Sequence, residues 1–181
     1  MSDQKCPEKR PKTLIDLCCG AGSWSRPFLE RGWYCVGYDI RKFRPKRLRY
    51  PGQLVIQDIR TVTGFGWVGI VNLIVASPPC AEFSRARLKP VDEPDLSLVE
   101  ACQRIAREAR APLVLENVYG LERFLGPPTA RYGPFSLWGD GVPFMLPQTR
   151  RRIVKMRHRS PLLRSQIPVE LAASVARFHS Q

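Results

Sequence analysis

The sequence predicts an α/β fold, an open and mainly parallel sheet with helices on both faces. A strand, a glycine turn, a helix and a second strand follow one another between residues 13 and 39, as in a βαβ unit. Residues 71–76 are almost continuously apolar, which is typical of a parallel strand that is covered on both faces. Helical periodicity between residues 94 and 110 then leads into another apolar run at residues 112–116.

The first strand of the βαβ unit is the buried run at residues 13–18. Gly20 and Gly22 break this run and let the chain turn into a helix over about residues 23–31. The other predicted strands are short and largely apolar, and several end at a polar residue. They cover residues 33–38, 54–57, 71–76, 112–116 and 153–156.

The second half of the chain predicts irregular structure followed by a helix. Residues 120–147 are rich in glycine, proline and aromatic residues, which favours loops and short antiparallel strands over a second domain. Residues 168–178 have the pattern of an amphipathic helix, with Pro168 in its first turn. Residues 1–12 are polar and basic, so we predict a flexible basic lead-in. A chain of 181 residues suits one core, and we predict a single domain over residues 13–181.

The charge balance favours a polyanionic partner. The chain has 29 Lys and Arg against 16 Asp and Glu, a formal net charge of +13, which indicates nucleic acid. The alternative is that the positive charge only keeps the protein soluble. The sequence has neither an apolar run long enough to cross a bilayer nor a signal-peptide start. We therefore expect a cytoplasmic, nucleoid-associated protein with no membrane partner.

The six cysteines predict thiols rather than disulfides or a metal site. They lie mostly inside apolar runs, and none is part of a C-x-x-C pair. With only two histidines in the chain, a zinc site has few ligands available. We expect no metal.

Polar residues stand at or just past the ends of the predicted strands. In an open parallel sheet these ends form one edge, where ligands bind, so we expect the residues to converge on one cleft. The residues are Asp16, Asp39, Asp58, Cys80 and Glu116.

The segment from Asp16 to Gly22 suits a nucleoside cofactor. Its glycines let the backbone approach a ligand where side chains would clash, although a tight turn without a ligand is the alternative. Asp39 is placed to hold the hydroxyls of a ribose, and Asp58 could bind an adenine amino group.

Four segments, taken in order, resemble the cytosine-5 DNA methyltransferases. They are residues 16–25, 77–84, 116–118 and 148–152, and the resemblance covers most of the chain. It implies the Rossmann-like fold of methyltransferases that depend on S-adenosylmethionine. It also implies methyl transfer to carbon 5 of cytosine in DNA, with S-adenosylhomocysteine as product and without a metal. Because carbon 6 lies inside a duplex stack, the base must be flipped out or already single-stranded.

The resemblance also implies roles for individual residues. Cys80 would attack carbon 6 of cytosine, and Glu116 would protonate or hydrogen-bond ring nitrogen 3. Arg150 and Arg152 would hold the pyrimidine carbonyl and the neighbouring phosphate. The predicted cofactor-binding residues are Asp16, Cys18, Cys19, Gly20, Ala21, Gly22, Ser23, Trp24, Asp39, Ile40, Asp58, Ile59 and Pro78. The predicted substrate-binding residues are Pro79, Ser84, Asn117 and Gln148.

Each candidate also has a structural explanation. Free cysteines are usually buried, and Cys18, Cys19, Cys35 and Cys102 fit that description. Cys80 instead follows two prolines in a loop that would expose it. Glu116 alone could be a surface carboxylate, residues 150–152 a solvated charge run, and the basic loop at residues 41–49 a solvated connection.

The sequence departs from the family pattern in three places, one of which is Ser165-Gln166 in place of the usual Gly-Asn before the terminal helix. Cys18, Ser23 and Trp24 replace the usual Phe, Gly and Phe, and we expect Trp24 still to stack beside the cofactor. The long target-recognition domain of the family has no room between residue 153 and the terminal helix. Short loops at 85–95 and 120–147, or a protein partner, would then supply recognition. Two alternatives remain, namely the same chemistry on RNA and a non-catalytic adaptor that binds cofactor or nucleic acid.

Overall fold

The computed structural model describes residues 10–41, 49–84, 93–148 and 166–181. The described residues form seven strands and four α-helices, with three short 3-10 turns at Ile59–Thr61, Phe65–Trp67 and Tyr119–Leu121. The strands are β1 Thr13–Leu17, β2 Tyr34–Asp39, β3 Gln53–Ile56, β4 Leu73–Ala76, β5 Leu113–Asn117, β6 Ala130–Tyr132 and β7 Phe135–Trp138. The helices are α1 Ser25–Leu29, α2 Ser97–Ala109, α3 Glu122–Leu125 and α4 Val169–Ser180.

The seven described strands form one sheet in the order β3-β2-β1-β4-β5-β7-β6. The first five in that order run parallel to their neighbours. β7 then pairs antiparallel with both β5 and β6. The predicted mainly parallel α/β sheet is confirmed, and so are the short antiparallel strands expected between residues 120 and 147.

Helices cover both faces because the side chains of the central strands alternate between two apolar clusters. On one face, Leu14 of β1 and Leu73 of β4 pack with helices α1 and α4. On the other face, Ile15 and Ile74 pack with α2. The central strands β1, β4 and β5 are therefore buried on both sides, as their continuous apolarity indicates.

Helix α1 is shorter than the sequence predicts. Gly22 has a φ of +73°, which keeps residues 21–24 in turns, so the helix begins at Ser25. Pro27 is tolerated because it lies in the first turn, where its missing N–H costs no helical hydrogen bond. The chain leaves the helix through Gly32, whose φ of +76° suits a residue without a β-carbon.

The other boundaries differ from the prediction by a few residues at most. β4 begins two residues later than expected, because the N–H of Val71 bonds to the carbonyl of Trp67 in a turn. α2 ends at Ala109 because the next residue, Arg110, takes the left-handed conformation with a φ of +51°. The predicted strand at residues 153–156 lies outside the described residues. No helix within the described ranges is both long enough and apolar enough to span a bilayer.

Candidate functional site

The parallel register brings the ends of four strands level at one edge of the sheet. Leu17 of β1 pairs with Tyr38 of β2 and with Ala76 of β4. Ala76 pairs in turn with Leu115 of β5. The residues that follow these pairs therefore emerge on the same edge, which contains the glycine turn, Asp39, the Ser77–Cys80 segment and Glu116.

The glycine turn after β1 is a tight, left-handed path. Cys18, Gly20 and Gly22 have φ values of +56°, +52° and +73°. The N–H of Cys19 donates to the carbonyl of Tyr38 at 3.0 Å, which holds the turn against β2. A β-carbon on Gly22 would lie 2.4 Å from Cδ of Pro51, so only glycine fits there. Cys18 adopts the left-handed region with a side chain, at a cost of about 1 kcal/mol.

A buried polar chain of three residues lies beneath the glycine turn. The Ser25 hydroxyl donates to Oδ2 of Asp16 at 2.6 Å and lies 2.6 Å from the hydroxyl of Tyr50. Burial raises the pKa of Asp16 to about 8, while the hydrogen bond from Ser25 lowers it and the charge of Asp39 raises it further. Burial also raises the pKa of Tyr50. Burial therefore favours the protonated form of Asp16, which contacts the Ser25 hydroxyl, and this hydroxyl in turn contacts Tyr50.

Sequence reasoning missed Ser25 and Tyr50. Tyr50 also packs against the glycines, since a β-carbon on Gly37 would lie 2.6 Å from its ring. Tyr50 follows the basic loop, and nothing in its sequence neighbourhood signals a contact with β1 and α1. The packing is visible only in the folded structure, where glycines lie close to the ring of Tyr50.

Asp39 at the end of β2 anchors two loops. Its Oδ2 accepts the N–H of Gly20 at 3.0 Å, and its Oδ1 accepts the N–H of Arg41 at 2.9 Å. Each carboxylate oxygen has a second lone pair, which leaves acceptor capacity for ligand hydroxyls. The next residue, Ile40, is 63% exposed and provides an apolar surface beside the carboxylate. This combination suits a ribose and the edge of a base.

Asp58 has a partner that the sequence did not indicate. Both of its oxygens accept from Arg60, with the shortest contact 2.6 Å from the guanidinium to Oδ2. The Arg60 hydrogen bonds hold the pKa of Asp58 below its usual range. An adenine amino group at Asp58 would share this carboxylate with Arg60.

The structure corrects the expected stacking of Trp24 beside the cofactor. Its indole is only 2% exposed and lies in the core below the edge. The indole N–H donates to the hydroxyl of Ser77 at 2.9 Å, so Trp24 joins the glycine turn to the end of β4. Ile59 is similarly buried at 2% exposed, which leaves its side chain no surface for a ligand. These apolar side chains pack inward because their burial removes large areas from water.

Ser23 connects the glycine turn to the last helix. Its hydroxyl accepts the N–H of Ile167 at 3.2 Å, immediately before α4. The residue just before helix α4 is therefore tied to this side of the glycine turn. Cys19 and Ala21 are buried, so the turn presents mainly backbone to its surroundings.

The segment after β4 presents a half-buried thiol. Pro78 is buried, Pro79 is exposed and Cys80 is intermediate between them. The carbonyl of Pro78 accepts Nδ2 of Asn117 at 3.0 Å, which joins the segment to the end of β5. The carbonyl of Cys80 accepts the N–H of Phe83 at 3.2 Å and closes a turn. The side chain of Cys80 is thus held at the edge by the strand before it and the turn after it.

Three of the four other described cysteines are more buried than Cys80. Cys19, Cys35 and Cys102 are buried, and Cys18 is half-buried in the glycine turn. Burial raises the pKa of the Cys35 thiol to about 12, and burial also raises the pKa of Cys19. Contact with Cys18 raises the pKa of Cys102 as well. The buried thiols of Cys19, Cys35 and Cys102 therefore stay protonated and unreactive.

Glu116 lies within β5 rather than on the surface. It is 9% exposed and stands between β4 and β7, where it pairs with Leu137. Its position is one residue beyond the Ala76–Leu115 pair, level with Ser77. Asn117 is 1% exposed and accepts the N–H of Val118 at 2.8 Å in addition to its contact with Pro78. The alternative that Glu116 is a solvated surface carboxylate is therefore wrong.

The described residues do not bring every predicted group into the site. Arg150 and Arg152 lie outside the described residues, and their roles stay predictions. Gln148 is exposed and Ser84 is half-buried. Within the described ranges, no three His, Cys, Asp or Glu side chains form a candidate metal site.

Comparison with known proteins identifies related sequences and folds. The family model described as C-5 cytosine-specific DNA methylase matches residues 12–124, more than half of the chain. This segment includes Cys80, Glu116 and the glycine turn, and it ends before residues 148–152. No curated protein sequence matches the chain.

Solved structures that resemble part of the chain include the following three proteins. An E. coli prophage protein described as a candidate DNA modification methyltransferase is 20% identical over 61% of this chain, with a TM-score of 0.43. A Spodoptera frugiperda DNMT2 mutant is 22% identical over 62%, with a TM-score of 0.40. The Entamoeba histolytica methyltransferase EhMeth is 17% identical over 64%, with a TM-score of 0.45. The matches span 33%, 37% and 40% of those chains, respectively.

Proposed function

The chain belongs to the C-5 cytosine-specific DNA methylase family, and on that premise we propose that it transfers a methyl group from S-adenosylmethionine to carbon 5 of cytosine in DNA. The nucleophile is Cys80. The main support for the proposal is that the half-buried thiol of Cys80 and the buried carboxyl group of Glu116 stand at the ends of adjacent strands. The Asn117–Pro78 hydrogen bond joins these two strand ends.

The chemistry requires a nucleophile because carbon 5 of cytosine is inert. When the thiolate of Cys80 forms a bond to carbon 6, the ring electrons shift toward nitrogen 3 and carbon 5 becomes able to accept a methyl group. Glu116 gives a proton to nitrogen 3 as the bond forms. After methylation, water takes the proton from carbon 5, the Sγ–carbon 6 bond breaks and nitrogen 3 returns its proton to Glu116, which restores the ring, the thiolate and the acid.

The groups beside the glycine turn fit a nucleoside cofactor. Asp39 offers its remaining lone pairs to the ribose hydroxyls, Ile40 covers one edge of the base, and Asp58 is available to the adenine amino group. S-adenosylmethionine supplies an electrophilic methyl group when it is bound. Gly20 and Gly22 keep the approach to the turn free of side chains.

The proposal extends to the substrate and the whole chain. The net charge of +13 favours DNA phosphates, and the target base has to leave its stack to meet Cys80. Residues 13–181 act as one catalytic domain in the cytoplasm, associated with the nucleoid. A protein partner that supplies target recognition is compatible with the short connection after residue 153.

The test is transfer of labelled methyl groups from the cofactor to DNA and RNA oligonucleotides of the same sequence. We expect label in DNA cytosine with the native chain and none with Cys80→Ala. Cys102→Ala is the control, because it removes a buried thiol in α2 away from the edge. Label in RNA alone would show that the substrate is RNA and not DNA. Cofactor binding without transfer to either would favour the adaptor alternative.

A further inference from the structure

Two exposed aromatic rings near the proposed active site each have an arginine guanidinium packed over the ring. The guanidinium of Arg131 lies 4.9 Å from the ring centre of Tyr119, and that of Arg123 lies 5.8 Å from the ring centre of Phe124. Tyr119 is 45% exposed and Phe124 is 37% exposed. We call these four residues the aromatic–arginine platform.

The platform is continuous with the turn that contains Cys80. Phe124 packs against Phe83 with 6.1 Å between ring centres. A β-carbon on Gly120 would lie 1.9 Å from the carbonyl oxygen of Phe83, so the two backbones are in direct contact there. The N–H of Phe83 bonds in turn to Cys80. A ligand whose reacting base meets Cys80 therefore has its neighbouring groups close to the platform.

The charges of the platform suit an anion. Glu122 pairs with Arg131 at 2.5 Å, which leaves one net positive charge among Arg123, Arg131 and Glu122. The two side chains of this pair are 45% and 26% exposed, and such pairs contribute only about 0 to 1 kcal/mol. A phosphate can therefore displace Glu122 from Arg131 at little cost.

We propose that the aromatic–arginine platform binds the unpaired nucleotides that flank the target cytosine. Bases stack on Tyr119 and Phe124, while the guanidinium groups of Arg123 and Arg131 contact the phosphates. The chemistry is common to single-stranded DNA and RNA, because every base has a flat face and every nucleotide a phosphate. The inference rests on the proposed function for the position of the target base. It supplies a nucleic-acid contact in a chain that has no room for a long recognition domain between residue 153 and the terminal helix.

The experiment measures binding of the full chain to a fluorescent single-stranded DNA of about 12 nucleotides, without cofactor. Tyr119→Ala and Phe124→Ala should each weaken binding about 5- to 150-fold, since a stacked base contributes about 1 to 3 kcal/mol. Tyr119→Phe should restore most of the affinity, because it keeps the ring. Glu122→Gln should strengthen binding and steepen its salt dependence, because it frees Arg131 for phosphate.

Two matched controls test whether any exposed ring or arginine has the same effect. Phe65→Ala removes a ring that is 69% exposed in the turn that precedes β4. Arg107→Gln removes a charge from a groove beside Leu113, at the start of β5. Both should leave stacking-dependent binding unchanged. Equal losses in the controls and the platform variants would overturn the proposal, and so would native affinity in Tyr119→Ala and Phe124→Ala.

Further arms separate this inference from the proposed function. The same sequence as RNA shows which kind of unpaired strand the platform prefers. The same sequence as duplex DNA, whose bases are paired, should bind more weakly. Weaker binding by the platform variants, together with no methyl transfer by the native chain, would refute the proposed function and leave the platform standing. Native kcat/KM for methyl transfer in Tyr119→Ala would refute the platform alone.

Discussion

The two halves of the candidate site are built differently. On the β1–β2 side, polar groups are held by hydrogen bonds within the protein, as Asp16 is by Ser25 and Asp39 is by two backbone N–H groups. On the β4–β5 side, Asn117 ties the two backbones together. The segments that follow these strands nevertheless present an exposed Pro79, a half-buried Cys80 and exposed rings.

This difference indicates a division of labour. A small cofactor of constant shape can be met by a pre-formed turn, which costs little reorganisation on binding. A polymer substrate has to enter and leave, so its contacts lie on the surface. We expect substitutions on the β1–β2 side to change stability and cofactor affinity together. Substitutions on the β4–β5 side should change the rate of transfer with little effect on stability.

Glu116→Gln should have the largest effect on the β4–β5 side. The amide keeps the shape of the buried side chain but does not act as an acid, so kcat should fall about 100- to 10,000-fold. Cofactor affinity should stay native by calorimetry. Glu30→Gln, an exposed carboxylate after α1, is the control. A variant that lost cofactor affinity and kept its rate would reverse the proposed division.

Gly22→Ala tests the β1–β2 side. The methyl group meets Pro51 and the φ of +73° is strained, so the free energy of unfolding should fall by about 1 to 3 kcal/mol. Gly32→Ala is the control, because Gly32 also has a positive φ of +76° but nothing lies within 4 Å of the added carbon. It therefore measures the backbone strain without the steric clash. Urea unfolding and cofactor titration should show both losses for Gly22→Ala and only a smaller stability loss for Gly32→Ala. Equal behaviour would contradict a pre-formed turn.

Asp16 should make stability depend on pH. Its pKa is about 8 in the folded protein and about 4 in an unfolded chain. Between these values the folded state keeps a proton that the unfolded state loses, so this group's contribution to stability falls as pH rises, by at most about 1.4 kcal/mol per pH unit.

Asp16→Asn removes that contribution. Urea unfolding from pH 5 to 8 should show a flatter stability profile for Asp16→Asn than for the native chain. Glu30→Gln should leave the native slope in place. Parallel profiles for Asp16→Asn and the native chain would show that burial does not hold a proton on Asp16.

Tyr50→Phe should have the smallest effect of the four. It removes one buried hydroxyl at 2.6 Å from Ser25, which costs about 0.5 to 1.5 kcal/mol of stability. Cofactor affinity should fall about 2- to 10-fold with kcat unchanged, because the chemistry lies on the other side. Tyr34→Phe removes a hydroxyl from an exposed pair with Gln53 and should be neutral. A lower kcat with native affinity would count against the division.

The sheet and most of the strand ends were predictable from the sequence. Apolar runs marked β1, β4 and β5, and the prolines before Cys80 correctly indicated a partly exposed turn. These features depend on local pattern. A strand buried on both faces has few polar residues, and proline interrupts the hydrogen-bond ladder between strands. The burial of Glu116 was not certain from sequence, because a carboxylate at a strand end can face either water or the protein.

What the sequence did not reveal depends on distant contacts. Trp24 was expected to face the cofactor and instead packs inward, because its direction depends on where α4 and Ser77 lie. Ser25 lies in the first family-like segment but received no role there, and Tyr50 and Arg60 have no motif. The roles of all three follow from neighbours brought together by folding. The platform pairs Tyr119 with an arginine 12 positions later, which no periodicity indicates.

The most direct test of the account is covalent capture of Cys80 on a DNA oligonucleotide that contains 5-fluorocytosine. Fluorine blocks loss of the group at carbon 5, so the bond between Sγ and carbon 6 persists after methyl transfer. Mass spectrometry should find one oligonucleotide per chain, formed only with S-adenosylmethionine present and mapped to Cys80. An adduct that persists in Cys80→Ala, or no adduct with the native chain, would contradict the assignment of Cys80 as the nucleophile.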